Sequence, residues 1–155
     1  MTDAMPDPLS KRRLKLWIRL LGVTRTAEAH LRDHLRVNHD TTLPRFDVMA
    51  ALWRRREGVT MSELSRMLLV SNGNATAVVD RLEKDGLARR TPLPTDRRTV
   101  HVALTDEGLR AFEAQAEDHE AAVNRLFAAL GEAEVEALTA ILKSLRPGNT
   151  EKGAE

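Results

Sequence analysis

Residues 60–90 read TMSELSRMLLVSNGNATAVVDRLEKDGLARR, and this stretch decides the fold. Thr60-Met61-Ser62-Glu63 fits the S/T-x-x-E capping box, in which Thr60 and Glu63 each satisfy a backbone donor of the other, so a short helix is expected up to Leu69. Ser71 is suited to cap a further helix over about Asn72 to Lys84, and Asp85-Gly86 ends it in the left-handed conformation that glycine adopts cheaply. Only Val70-Ser71 separate the two helices, so the chain must turn a tight corner there. A short helix, a tight turn and a second helix make a helix-turn-helix unit.

After Gly86 the helical period gives way to alternation. Leu87–Thr91 and Thr99–Leu104 read as two strands joined by a turn that holds Pro92, Pro94 and the run Asp96-Arg97-Arg98, a β-hairpin whose prolines confine the first strand to an edge. Thr105 then caps a helix with Asp106 and Glu107 in its first turn. Upstream, Leu14, Trp17, Ile18, Leu21, Leu31 and Leu35 recur near helical spacing from Pro8 to about Asn38, with Gly22 as a point where the helix can bend. Thr42 and Pro44 open a second helix, Leu43 to about Arg56, with Phe46, Met49, Ala50 and Trp53 facing inward.

Downstream, Leu109, Phe112, Ala116, His119, Val123, Leu126 and Leu130 form one stripe, and Val135, Leu138, Leu142 and Leu145 form another on a last helix after Gly131. One small winged unit has little core to offer so many stripes. A homodimer is therefore expected, with Leu14, Trp17, Leu21, Val123, Leu126, Leu130, Leu138, Leu142 and Leu145 at its interface. The fold class is mainly α with a small β-hairpin wing, an α+β winged helix-turn-helix carrying terminal dimerisation helices.

The charge is unevenly spread. The 155 residues carry a formal net charge of +1. Yet Lys11–Arg36 hold eight Lys/Arg against two acids, and Arg81–Val100 hold six against three. In Thr105–Glu136 nine acids face two arginines. Such asymmetry suits a chain that meets a polyanion on one surface only. With no cysteine, disulfide frameworks and thiolate metal sites are excluded. No apolar run approaches the roughly 20 residues of a membrane span, and Met1–Ser10 has no signal-peptide core, so a cytoplasmic protein is expected.

The outward face of the second helix of the unit carries Asn72, Gly73, Asn74, Thr76, Ala77, Asp80 and Arg81. Small hydrogen-bonding side chains at a helix start suit entry into a major groove, where Asn reads adenine and Thr meets thymine. Arg97 and Arg98 at the hairpin tip suit a narrow minor groove. Asp96 opposes phosphate, but it can pair with Arg98 and fix its direction, leaving one arginine to insert. Which of the two enters the groove is left open.

The runs Asp80-Arg81-Leu82-Glu83-Lys84-Asp85-Gly86-Leu87-Ala88-Arg89-Arg90, Asp96-Arg97-Arg98 and Leu104-Thr105-Asp106-Glu107-Gly108 resemble the signature of MarR-type transcriptional regulators. The resemblance spans about Leu14 to Leu145. It implies one domain over 9–146, with the winged unit at about 42–104 and dimerisation helices at about 9–38 and 105–146; Pro147-Gly148 stops the last helix, so 147–155 are expected to be a disordered tail. It also implies a homodimer that binds double-stranded DNA at a palindromic operator through Ser71, Asn72, Gly73, Asn74, Thr76, Ala77, Arg81, Arg97 and Arg98. Repression relieved by a small effector is the family expectation. Many members carry Arg or Lys where this chain has Ala77, so the wing is expected to supply more of the affinity. Thr42–Asp47 resembles members that control aromatic-acid catabolism, some of which sense aryl-CoA thioesters.

Trp17, Arg45, Met49 and Trp53 could line the effector pocket, combining apolar walls with a cation for a carboxylate. Core packing explains Met49 and the tryptophans equally well. His30 and His34 have the four-residue spacing of a helical zinc pair, but no third ligand is evident nearby, so no metal and no cofactor are expected. His119, within the α-helical stripe, reads as a polar contact at an interface. An enzyme is not supported, since neither a phosphate loop nor a nucleophile–base motif is present. The remaining alternative is a protein-interaction adaptor that uses the winged unit without DNA.

Overall fold

The computed structural model describes residues 7–68 and 72–145, and for Asn72 its backbone only. Leu69, the Val70-Ser71 corner, the Ser71 cap and the expected tail at 147–155 lie outside the described residues. The elements run α1 (Leu9–His39), α2 (Leu43–Arg54), α3 (Met61–Leu68), α4 (Asn72–Lys84), β1 (Ala88–Pro92), β2 (Val100–Leu104), α5 (Asp106–Leu126) and α6 (Glu132–Ser144). Among the described residues no helix is long and apolar enough to cross a membrane.

Local chemistry explains most of the boundaries. Thr42 Oγ1 accepts from the Arg45 N–H at the start of α2, with Pro44 in the first turn. Thr60 and Glu63 exchange bonds of 2.8 and 3.2 Å, completing the capping box of α3. At the end of α4, Gly86 takes φ +76°, the left-handed conformation expected of it. At the end of α1 the same conformation falls on Asp40, φ +48°, one of the few L residues that tolerate it.

Helix α2 is the centre of the molecule, touching α3, α4, α5 and β2. Phe46, Val48, Met49, Ala51 and Leu52 are buried along it, and they meet Leu35, Val59, Leu64, Val79, Leu82, Val102 and Phe112. Strands β1 and β2 pair antiparallel with Ala88 opposite Leu104 and Pro92 opposite Val100. On the other side of β2, Val59 and Val102 exchange backbone hydrogen bonds of 3.0 and 2.8 Å, so β1 is the outer strand of the wing.

Several expectations are corrected. Helix α1 runs through Gly22 without interruption, because a solitary glycine between good helix formers costs only about 1 kcal/mol. Trp53 is not a core residue: it is 37% exposed, lying against Phe112 with Arg56 over its indole. The burial of α2 is broader than one stripe, because elements enclose it on several sides. Helix α5 ends at Leu126, and Leu130 lies beyond it in the turn before α6. Within the chain the His119 ring stacks on Phe46 at 4.2 Å, alongside the interface contact expected of it.

Candidate nucleic-acid interface

Helix α4 presents two faces. Ala75, Val79 and Leu82 are buried against the core, whereas Gly73, Asn74, Thr76, Ala77, Asp80 and Arg81 are exposed. The outward row expected from the helical period is therefore present, apart from Ser71 and the Asn72 side chain, which are not described. Arg81 is largely exposed, with its Nε 3.9 Å from Asp85.

The wing tip is built by Asp96, in a way that differs from the expected ion pair. Asp96 Oδ1 accepts from the backbone N–H of Arg98 at 3.0 Å, and Oδ2 accepts from Thr99 Oγ1 at 3.0 Å. The carboxylate thus stabilises the turn through an N–H and a hydroxyl, not through the Arg98 guanidinium. Among the described residues neither Arg97 nor Arg98 has an ion-pair partner, and both are exposed. The division of labour expected between the arginines gives way to two exposed cations on a turn held by Asp96.

A second set of contacts, not anticipated from the sequence, joins helix and wing. Arg90 on β1 reaches Asp80 Oδ1 at 2.6 Å and Glu83 Oε1 at 3.4 Å through its guanidinium. Its backbone N–H donates to Glu83 Oε2 at 2.8 Å. Asp80 and Glu83 lie three residues apart and so share a helix face. That spacing was legible; their partner on the strand was not.

The same logic anchors the end of α4. Thr105 Oγ1 donates to the Gly86 carbonyl at 2.7 Å, accepts from Gly108 N–H at 3.1 Å, and the Thr105 N–H donates to the Leu87 carbonyl at 3.0 Å. A Cβ on Gly108 would stand 2.0 Å from the Leu87 carbonyl oxygen. The Leu-Thr-x-x-Gly run is thereby explained: threonine ties α5 to the turn after α4, and glycine lets the two backbones touch.

The four residues expected to line an effector pocket occupy different surroundings. Met49 is fully buried in the core. Arg45 is paired with Asp85 at 2.8 Å, and this hydrogen bond holds the Asp85 carboxyl below the usual carboxylate range. Trp53 sits against Phe112, and Trp17 is 57% exposed on the first half of α1. A cleft of 410 Å³ does lie behind α4, lined in part by Pro44, Val48, Leu68, Ala75 and Val78, and it includes none of the four.

The terminal helices are left bare. No residue of α6 is buried, and Val135, Leu138, Ile141 and Leu142 all face outward. Leu14, Trp17 and Ile18 of α1, and Leu126 of α5, are likewise exposed, as is Leu145 just past α6. Leu21, Val123 and Leu130 are half-buried.

The profile described as "MarR family" matches residues 41–100, from the N-cap region of α2 to the start of β2. The HTH-type transcriptional regulator MhqR of Bacillus subtilis is 30% identical over 135 residues, covering 87% of this chain and 92% of its own. Among solved structures, Sco3205, a MarR family regulator from Streptomyces coelicolor in complex with DNA, superposes with a TM-score of 0.81 at 25% identity, covering 94% of this chain and 95% of its own. A variant of MarR from Escherichia coli complexed with operator DNA gives 0.78 at 28% identity, covering 91% and 100%. The match extends through both terminal helices as well as the winged unit, and the relatives are regulators rather than enzymes. The chain belongs to the MarR family of winged helix transcriptional regulators.

Proposed function

We propose that this protein is a homodimeric, sequence-specific DNA-binding regulator that represses from a palindromic operator and is released by a small aromatic or aryl-CoA effector. The observation that carries the DNA-binding part is the clamp of Arg90 onto Asp80 and Glu83. It joins the outward face of α4 and the arginine-tipped wing into one body, so a major-groove reader and a minor-groove reader are presented together. Gly73, Asn74, Thr76, Ala77 and Arg81, with Ser71 and Asn72 before them, serve the major groove; Arg97 and Arg98 serve the minor groove. The small Ala77 leaves the wing to contribute a larger share. The Sco3205 and Escherichia coli MarR complexes with DNA support this reading.

Dimerisation rests on the apolar residues of α1 and α6 that a single chain leaves in water. An isolated helix of 13 residues is marginal in solution, so α6 needs a partner surface to persist. Two copies also fit a two-fold operator, with one recognition helix per half-site. The effector rests on the family resemblance alone, and any such ligand must discriminate between states: about 5.5 kcal/mol of differential affinity carries a population from 99:1 to 1:99.

The test is binding to the DNA upstream of the protein's own gene across a salt series. Log affinity should fall steeply with log salt, and Arg97→Ala and Arg98→Ala should each reduce the slope by about 1. A flat salt dependence, untouched by either substitution, would sink the DNA reading in favour of the adaptor. Aromatic acids and their CoA thioesters, added to the complex, test the effector; if none shifts binding, that part goes.

A further inference from the structure

Three of the chain's five histidines, His34, His39 and His119, gather where the last turns of α1 meet the middle of α5. The four-residue spacing of His30 and His34 pointed to a pair along one helix, but the tertiary structure selects a different set. His39 Nε2 lies 2.8 Å from Asp118 Oδ2 across the two helices. The rings of His34 and His39 stand 6.3 Å apart at their centroids. One donor atom from each of His34, His39 and Asp118 falls within 4.8 Å of the other two.

A further observation marks the place. His34 Nε2 and His119 Nδ1 are buried with no hydrogen-bond partner among the described residues, unlike the great majority of buried polar atoms.

We propose that His34, His39 and Asp118 form a binding site for a divalent cation of the zinc type, joining the end of α1 to α5. The donor set is imidazole and carboxylate with no thiolate, which suits zinc and its neighbours rather than softer ions. Zinc takes such ligands at about 2.0–2.2 Å, with a fourth position for water or an anion. His39 and Asp118 already touch, and Asp118 is exposed, so small side-chain rotations bring the three donors around one ion. The ion takes the position of the Nε2 proton that His39 now donates to Asp118. That proton moves to Nδ1 of the imidazole, which leaves Nε2 free to ligate.

His34 needs one adjustment. The exposed Asn38 amide now donates to His34 Nδ1 at 3.1 Å and to the His34 carbonyl at 2.9 Å. For Nε2 to ligate, the ring takes its other tautomer and the amide turns so that its oxygen receives the Nδ1 proton, the outer contact that metal-bound imidazoles ordinarily have. The site spans the junction between the exposed arm of α1 and the helix anchored to α4 through Thr105. A bound ion therefore stiffens the angle between arm and winged unit. This reading does not depend on DNA binding.

The test uses the full-length chain, stripped with a chelator and titrated with Zn²⁺ against a chromophoric competitor, with Co²⁺ as a spectroscopic probe. One Zn²⁺ per chain is expected, with a higher melting temperature and a Co²⁺ absorption band of tetrahedral type. Asp118→Asn, at an exposed position that preserves the fold, and His39→Ala should each weaken Zn²⁺ binding more than about 10-fold. His30→Ala should leave it unchanged. Failure to retain Zn²⁺, equal affinity in the Asp118 and His39 variants, or loss on His30→Ala would each overturn the proposal.

Discussion

The winged unit and the terminal helices are built from similar apolar periodicity, yet they reach opposite ends within one chain. From α2 to the start of α5, the apolar stripes close on one another around Met49, Leu52, Val79 and Leu82, and the caps and strand ends find partners. The first half of α1 and all of α6 carry apolar stripes that stay largely exposed among the described residues. Periodicity reports that a face seeks burial; it does not report whether the covering surface belongs to the same chain. Contiguous exposed apolar surface of this kind marks an interface.

The largest expected effect breaks the self-sufficient side of this comparison. Gly108→Ala places a Cβ against the Leu87 backbone, which has no flexible end to yield, so a loss of about 3 kcal/mol is expected. Urea unfolding followed by circular dichroism would show it; a midpoint like the parent's would mean that the contact between α5 and the α4–β1 turn is loose. Next comes the dependent side. Leu138→Ala with Leu142→Ala removes apolar surface that the chain itself barely covers, costing about 2 kcal/mol or more in association. Sedimentation at graded concentration should shift toward monomer while the helical signal of the winged unit persists. An unchanged distribution would place the interface elsewhere.

A smaller effect tests how the winged unit is held together. Arg90→Ala removes a partly exposed ion-pair cluster, so its stability cost should be about 1 kcal/mol or less. Its effect on DNA affinity should be larger than that, because wing and recognition helix lose their fixed relation. Equal losses in stability and affinity would argue against the clamp as an aligning device. Smallest is an acid effect confined to the same unit. Arg45 holds the Asp85 carboxyl low, and the Thr60 N–H does the same for Glu63. A carboxyl whose folded pKa is depressed adds stability above its unfolded pKa and loses it as pH falls through to the folded value. Stability should therefore decline below the usual carboxylate range, and less steeply in Asp85→Asn. The same acid slope in that variant would remove Asp85 from the account.

Much of the fold was legible because it is written in local rules. The Thr60–Glu63 capping box, the Gly86 stop and the Thr105 cap each need only a few neighbouring residues. The outward row of α4 followed from the helical period alone. At the candidate site the sequence marks Asp96 as the residue that shapes the wing, but its partner is the Arg98 N–H and not the guanidinium. A carboxylate followed by a backbone N–H two residues on forms a turn bond locally, and that bond prevails over an ion pair with a long exposed side chain. Trp53 is exposed despite its inward spacing because periodicity along α2 marks a face without saying how much of it the neighbours cover.

The sequence by itself determined the order of elements, the faces of the helices and the family signature, since these depend on spacing and on the backbone preferences of single residues. Only the tertiary structure decided which distant groups meet. It paired Arg90 with Asp80 and Glu83, Arg45 with Asp85, and His39 with Asp118, and it pressed Gly108 onto Leu87. The physical reason is that charge pairs and close backbone contacts act over a few ångströms. Residues far apart in sequence come within that range only once the hydrophobic faces have been packed.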